Sequence, residues 1–415
     1  MTLCRFRSDQ RAAGSTTQVT CGVKYAVVTF GCRVNQADSL AIEEQLSGAG
    51  AEAVPADRAD VVVVNTCSVT ASADQGARQT IRRIARENPS ARIIATGCYA
   101  TRCPDEIAAL PGVAEVVPNA QKGAWHLFPS EEGPCGKTLA PGLMGRTAWT
   151  LRVQTGCEEK CSYCIIPTTR GASRSRTIED VLAEVERVRA AGYKEIVITG
   201  VHLGSYGRDL APQSSLSALL DRFIETPAKA GGFAVRISSL EPMDFPSGIV
   251  ERVAPHFHLP LQHGSNRILT AMRRPYTIER YADIVDDIRE RVPHAAIGTD
   301  VIVGFPGETD ADFDELTHYL EASPITHIHV FPYSDRPGTE ASSMPGKVHG
   351  TVIKERGARI REISRTLQER FRASLRGTQR PALTIEDGSV AVTDNYIRVT
   401  APPGHGRNEW IEVAL

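Results

Sequence analysis

Short apolar runs that alternate with stretches of helical period organise the first third of the chain. Residues 25–30, 61–64 and 92–95 are continuous apolar segments, too short for buried helices, so the pattern predicts strands covered on both faces. Between them residues 37–48 carry a helical period, and a second helical stretch bears Arg78, Arg82, Arg83 and Arg86. Strands separated by helices predict an open parallel α/β sheet, with a domain over 23–140. Residues 111–147, punctuated by Pro111, Pro118, Pro134 and Pro141, read as a surface linker.

The same alternation resumes at 141–376 with more repeats. Apolar segments at 151–153, 195–198, 234–237, 257–259, 298–303 and 327–330 each lead into a polar loop and then a helical stretch. Six strand–loop units predict a partial (β/α)6, TIM-like barrel, in which chemistry sits on the loops that follow the strands. Residues 351–380 continue as a helix with apolar positions at Ile360, Ile363, Leu367, Phe371 and Leu375. From 377 to 415 the period changes to two, which predicts a small β domain. The first 22 residues are polar and carry no period, and read as a disordered extension.

Composition narrows the class. The chain has 415 residues, 41% hydrophobic and 23% charged, with a formal net charge of -2. These are ordinary globular values, and the charge argues against whole-molecule steering onto nucleic acid, so RNA contact must come from local patches. Arg170, Arg174 and Arg176 form one such patch. The helix at 351–380, with nine Lys or Arg against three acidic residues and including Arg359 and Arg365, forms another. With no signal peptide or long apolar run, and ten cysteines in so long a chain, the expectation is a cytoplasmic protein whose thiols bind metal.

The cysteines fall into two sets. Cys157, Cys161 and Cys164 are spaced C-x3-C-x2-C, introduced by Gln154-Thr155-Gly156. A cubane iron–sulfur cluster takes one thiolate per iron, so three thiols leave one iron open to a ligand. A structural zinc site, the alternative, usually takes four protein ligands, and no fourth Cys or His lies near, the next histidine being His202. Cys32, Cys67 and Cys98 each stand just past an apolar strand. Strand ends of an open α/β sheet converge on a ligand site, which favours a second three-thiolate cluster over three unrelated buried residues. Cys103 and Cys135 lack that placement and read as structural, and Cys4 and Cys21 as incidental.

The first set, with Tyr163 before its last cysteine, resembles the signature of the radical S-adenosylmethionine (radical SAM) enzymes. The resemblance implies a 4Fe-4S cluster whose open iron is chelated by SAM, reductive cleavage to a 5′-deoxyadenosyl radical, and an electron donor such as flavodoxin or ferredoxin. It also implies that Tyr163, Gly200, Glu241 and Gln262 line the SAM pocket. His202, His258 and His263 are expected as hydrogen-bonding pocket residues. Gly31-Cys32, Asn65-Thr66-Cys67 and Gly97-Cys98 ahead of that motif look like the methylthiotransferase family. This implies a second 4Fe-4S cluster that handles sulfur from a separate source, and two SAM molecules per product.

Asn395-Tyr396-Ile397-Arg398-Val399 resembles part of a TRAM domain, a small RNA-presenting β-barrel, although the segment here is shorter and not basic. Segments 29–36, 199–207, 272–277 and 330–339 resemble the branch that acts on threonylcarbamoyladenosine. The implied partner is therefore the anticodon stem-loop of tRNA, modified at C2 of the adenosine at position 37, with Arg170, Arg174, Arg176, Arg359 and Arg365 as candidate RNA contacts. Branches acting on isopentenyladenosine-tRNA or a ribosomal-protein aspartate are the near alternatives, and a non-enzymatic iron–sulfur protein the far one.

Overall fold

The computed structural model describes residues 22–122, 139–224 and 232–415. The N-terminal extension, Gly22 apart, lies outside these residues, as do Cys4, Cys21 and Cys135. The described residues divide into two compact units at residue 144/145, with Thr168–Arg170 of the later segment joining the first unit.

In the first unit β1 (Lys24–Thr29), β2 (Glu52–Ala53), β3 (Val61–Thr66), β4 (Arg92–Gly97) and β5 (Val113–Val117) form one parallel sheet in the order β2-β1-β3-β4-β5. The β-branched run of β3 is buried at every position, as the central strand of a covered sheet requires. Helix α1 (Arg33–Gly48) starts directly at Cys32, earlier than its apolar period suggested. Helix α2 (Ala71–Glu87) is capped by the Thr70 side chain and buries Ala77, Ile81 and Ile84 in a core with Val62, Val64 and Ile93. Full burial of a side chain such as Ile81 contributes about 2 kcal/mol. Two short helices follow, α3 (Cys98–Arg102) and α4 (Pro104–Ala108).

Part of the stretch read as a linker is β5, which pairs with β4 along one edge and is half-buried on the other. Its flanking prolines and glycines mark the ends of an edge strand, where such residues are tolerated.

The second unit opens with β6 (Trp149–Arg152). The short antiparallel pair β7 (Gln154–Thr155) and β8 (Arg174–Ser175) then brackets a loop and α5 (Ile166–Arg170). Strands β6, β9 (Glu195–Thr199) and β10 (Ala234–Ile237) are parallel in the order β10-β9-β6, and β11 (His256–His258), β12 (Ala296–Val303) and β13 (His327–Pro332) form a second parallel set. A bridge from Ser239 to His258 joins β10 to β11, so six strands follow one another around a partial barrel.

Helices α6 (Ile178–Ala190), α7 (Leu216–Asp221), α8 (Asn266–Ala271), α9 (Ile278–Arg291) and α10 (Asp310–Ala322) connect them, with α11 (Glu340–Ser343) and α12 (Gly350–Ser374) after the last strand. Tyr281 of α9 donates to Leu259 O and contacts Thr299 Oγ1, which puts Thr299 on the helix side of β12 and Asp300 on the opposite, inner face. Ser364 of α12 bonds both the N–H and the carbonyl of Ile328, satisfying the free edge of β13.

The C-terminal strands β14 (Gln379–Ile385), β15 (Val390–Thr393), β16 (Arg398–Thr400) and β17 (Trp410–Ala414) form an antiparallel sheet in the order β16-β15-β14-β17. This sheet belongs to the same compact unit as the barrel. Asn395 donates to His294 O at 3.0 Å, Trp410 to Gly232 O at 2.9 Å, and the Arg236 guanidinium lies 4.8 Å from the Tyr396 ring centre. Among the described residues no helix is long and apolar enough to cross a membrane.

Candidate functional site

The barrel trio sits on the loop after β7. Cys157, Cys161 and Cys164 are each partly exposed and near enough for charge on one to raise the pKa of the others. Burial pushes the Cys164 thiol up to about 12, and burial also raises Cys161. A cation that takes all three must therefore displace their protons.

The loop is held from both sides. The Cys157 N–H donates to Gly171 O at 3.0 Å, while Ser162 donates through Oγ to Ala271 O at 2.8 Å and through its N–H to Met272 O at 3.1 Å. Gln154 accepts from Val201 N and His202 N and donates to Gly156 O, which ties the loop after β9 to the thiol loop.

Donors surround the sulfurs. The Ile166 N–H reaches Cys164 Sγ at 3.5 Å, and Arg274 Nη1 reaches Cys161 Sγ at 3.2 Å. Arg274, almost fully buried, forms an ion pair with Glu241 and hydrogen-bonds Tyr276. The expected SAM-pocket residue Glu241 thus stands beside the trio, matched by an arginine that sequence reading used only as a branch marker.

Gly200 lies so close to Gln154 that a Cβ there would sit 2.9 Å from Oε1. Gln262 holds a left-handed backbone, φ 70°, between hydrogen bonds to Asp300 and Ile302; an L residue under such strain marks a constrained position. Tyr163 packs with Ile268, Met272, Phe305 and Ala341.

The histidines are hydrogen-bonded, as expected. His202 is 2.7 Å from Asp244 Oδ2 and 3.9 Å from Cys157 Sγ. Burial works against its charge, but the bonds to Asp244 and Cys157 hold it up to about 10. His263 is buried and accepts from Ser265 N. His258 bridges Ser239 Oγ at 2.7 Å and Asp300 Oδ1 at 3.0 Å, and His329 reaches the same Asp300 oxygen at 3.2 Å. Burial opposes the Asp300 charge, yet hydrogen bonds from both imidazoles hold its carboxyl at about 2.

In the first unit Cys32, Cys67 and Cys98 follow the neighbouring strands β1, β3 and β4, and Cys67 lies within electrostatic reach of both of the others. Burial pushes Cys67 up to about 11, against N–H donors at Val69 and Ser68. The strand ends are laced by side chains from the motif segments themselves. Asn35 donates to Phe30 O at 2.8 Å and Thr66 O at 2.9 Å, and Asn65 donates to Asn35 O at 2.8 Å. Thr66 Oγ1 donates to Thr96 O at 2.6 Å and accepts from Ala100 N. Gly31, with φ 88°, lets Cys67 approach, since a Cβ there would lie 2.5 Å from the sulfur. Three convergent thiols with N–H donors about them fit an iron–sulfur cluster. Cys103 instead packs against the sheet core.

The arginine expectations divide. Arg170 is a correction: its side chain is 3% exposed and bonds Asp38 at 3.1 Å and Asn35 at 2.5 Å, so it faces inward and meets no outside phosphate. Arg176 is engaged by Glu184. Arg174, Arg359 and Arg365 are exposed, with Arg359 paired to Glu321 and Glu362.

Three clustered thiols on the loop after the first strand of a six-stranded parallel partial barrel define a radical SAM enzyme. Residues 151–320 match the Radical SAM superfamily, and residues 24–118 match Uncharacterized protein family UPF0004. The fold resembles a radical S-adenosylmethionine methyltransferase, TsrM, from Kitasatospora setae, at TM-score 0.55 and 16% identity over 78% of this chain and 77% of that one.

Among curated proteins, the chain is 38% identical to a threonylcarbamoyladenosine tRNA methylthiotransferase MtaB of Aquifex aeolicus, covering 91% of this chain and 96% of the relative. It is 36% identical to the protein of that name in Bacillus subtilis, over 89% and 88%. A tRNA-2-methylthio-N(6)-dimethylallyladenosine synthase of Thermobifida fusca is 35% identical, over 87% and 78%. The chain belongs to the radical SAM methylthiotransferase family and is MtaB-like.

Proposed function

We propose that the enzyme methylthiolates C2 of N6-threonylcarbamoyladenosine at position 37 of tRNA, in the cytoplasm, using two SAM molecules and two 4Fe-4S clusters. The observation that carries this reading is the second trio. A radical SAM enzyme that only made a radical has no use for three further thiols brought together at the strand ends of a separate sheet. Cys157, Cys161 and Cys164 would hold the cluster that cleaves SAM, with Gly200, Glu241 and Gln262 about the cofactor. Cys32, Cys67 and Cys98 would hold the cluster that carries sulfur, taken from a separate source. An electron donor of the flavodoxin or ferredoxin class would supply the reducing electron.

The branch has support from the barrel interior. Its inner face at β11–β13 carries His258, Asp300 and His329, a polar surface suited to the carboxylate and hydroxyl of a threonylcarbamoyl group rather than to an aliphatic chain. Arg174, Arg359 and Arg365 remain as exposed candidates for the RNA backbone.

Mass spectrometry of tRNA nucleosides from a deletion strain, with and without this gene, tests the branch. Restored methylthiolation of threonylcarbamoyladenosine supports it, and restored methylthiolation of isopentenyladenosine alone defeats it. Iron analysis of anaerobically reconstituted protein tests the second cluster, with about eight irons expected for two cubanes and about four for one.

A further inference from the structure

Inside the barrel, three neighbouring strands gather two imidazoles and a carboxylate. His258 stands on β11, Asp300 on β12 and His329 on β13, and the parallel register sets Asp300 directly beside His329. His258 Nε2 is 3.0 Å from Asp300 Oδ1, His329 Nδ1 is 3.2 Å from the same oxygen, and the three atoms all lie within 4.8 Å of one another. The set adjoins the residues expected about the cofactor. The Gln262 N–H donates to Asp300 O at 2.8 Å, and Ser239, which holds His258, stands two residues before Glu241.

Two imidazole nitrogens and one carboxylate oxygen are the donor set of zinc and ferrous sites that keep positions open. Bonds of about 2.1 Å to such an ion put neighbouring donors about 3.0 Å apart in octahedral and about 3.4 Å apart in tetrahedral geometry. The spacings of 3.0 and 3.2 Å fall in that range, so these side chains need move little to bind. Ser239 Oγ, 2.7 Å from His258 Nδ1, fixes that ring from the loop after β10 and leaves Nε2 for the cluster, as the outer partner of a metal-binding histidine does. His258 and Asp300 are largely buried, whereas the His329 side chain is 57% exposed, which leaves an ion a way in.

We propose that His258 Nε2, Asp300 Oδ1 and His329 Nδ1 hold one first-row divalent cation of the zinc class, which keeps a position open for the carboxylate of the substrate. The ion takes the place of the protons through which the two imidazoles bond Asp300. Asp300, ionised at neutral pH, repels a substrate carboxylate, and a dication on the triad reverses that sign. The ion site stands on its own geometry, while its carboxylate ligand rests on the threonylcarbamoyl reading above.

The test is zinc analysis, after equilibrium dialysis, of the full-length chain reconstituted anaerobically with iron and then cleared of loose metal by a chelator. At equal iron content the parent is expected to bind about one zinc per chain more than the double variant His258→Ala/His329→Ala. His329→Gln, at the most exposed of the three positions, carries the test if the double variant does not fold, and Ser239→Ala is expected to weaken zinc binding about tenfold. Equal zinc binding in the parent, the double variant and His329→Gln overturns the site, whichever nucleoside the enzyme modifies. For the carboxylate, binding of anticodon stem-loop RNA bearing threonylcarbamoyladenosine is compared with binding of the same RNA capped as its methyl amide. Zinc is expected to tighten the acid about tenfold and to leave the amide unchanged. An equal effect on both overturns the carboxylate role and leaves the ion in place. Normal zinc uptake by an enzyme that methylthiolates isopentenyladenosine alone defeats the branch reading and not the ion site.

Discussion

The two trios of thiols reach similar donor sets by opposite routes. In the barrel unit Cys157, Cys161 and Cys164 come from one loop, and their arrangement follows from eight consecutive residues. In the first unit Cys32, Cys67 and Cys98 come from three strands, and meet only because β1, β3 and β4 are neighbours in a parallel sheet. Their charge environments differ too. Beside Cys161 one arginine, Arg274, is matched by one carboxylate, Glu241. Beside Cys98 two cations, Lys122 and Arg170, both bond the carboxylate of Asp38. A locally encoded site tolerates neutral surroundings, whereas a site assembled from distant strands is shaped by whichever buried groups the packing brings in.

The sharpest break in this comparison is replacement of each trio by Ala. Loss of Cys157, Cys161 and Cys164 is expected to abolish 5′-deoxyadenosine formation from SAM. Loss of Cys32, Cys67 and Cys98 is expected to spare 5′-deoxyadenosine and abolish methylthiolated nucleoside. Chromatography of both products tells these outcomes apart, and two variants with the same phenotype would erase the division of labour.

Next in size, Arg274→Met leaves Glu241 half-buried without its cation and takes a donor from Cys161. Loss of about 3 kcal/mol is expected in denaturant unfolding, with iron at the barrel trio reduced and iron at the other retained. Gly31→Ala strikes the opposite site. Its Cβ would press on Cys67 Sγ at a φ of 88°, and a cost of about 2 kcal/mol is expected, with iron lost from the sheet trio alone.

The smallest effect serves as a control away from both trios. The Asp300 carboxyl falls from 3.8 to about 2 in the folded protein. Its contribution is therefore complete above the unfolded value and is lost as the pH falls through about 2. At most about 2 kcal/mol is expected, seen as a steeper acid limb in the wild type than in Asp300→Asn. Equal limbs would show that the His258 and His329 bonds do not hold the charge.

Much of the site was legible in the sequence because its signals are local. C-x3-C-x2-C, the apolar runs before Cys32, Cys67 and Cys98, and the change of period near residue 377 can be read within a few residues of one another. What escaped were partners joined across long separations. Arg274 meets a sulfur 113 positions away, and Lys122 bonds Asp38 across 84. Lys122 stood in a stretch read as linker, and Arg170 read as a surface cation.

By itself the sequence determined the apolar central strands, though not the edge strand β5, and which residues are thiols and how three of them are spaced, since side-chain period and chain proximity act over short range. The tertiary structure alone decided which charges are buried beside them. A lone arginine or lysine is equally at home in solvent or in a paired interior. Only packing fixes whether a carboxylate, or a set of sulfurs, waits within reach.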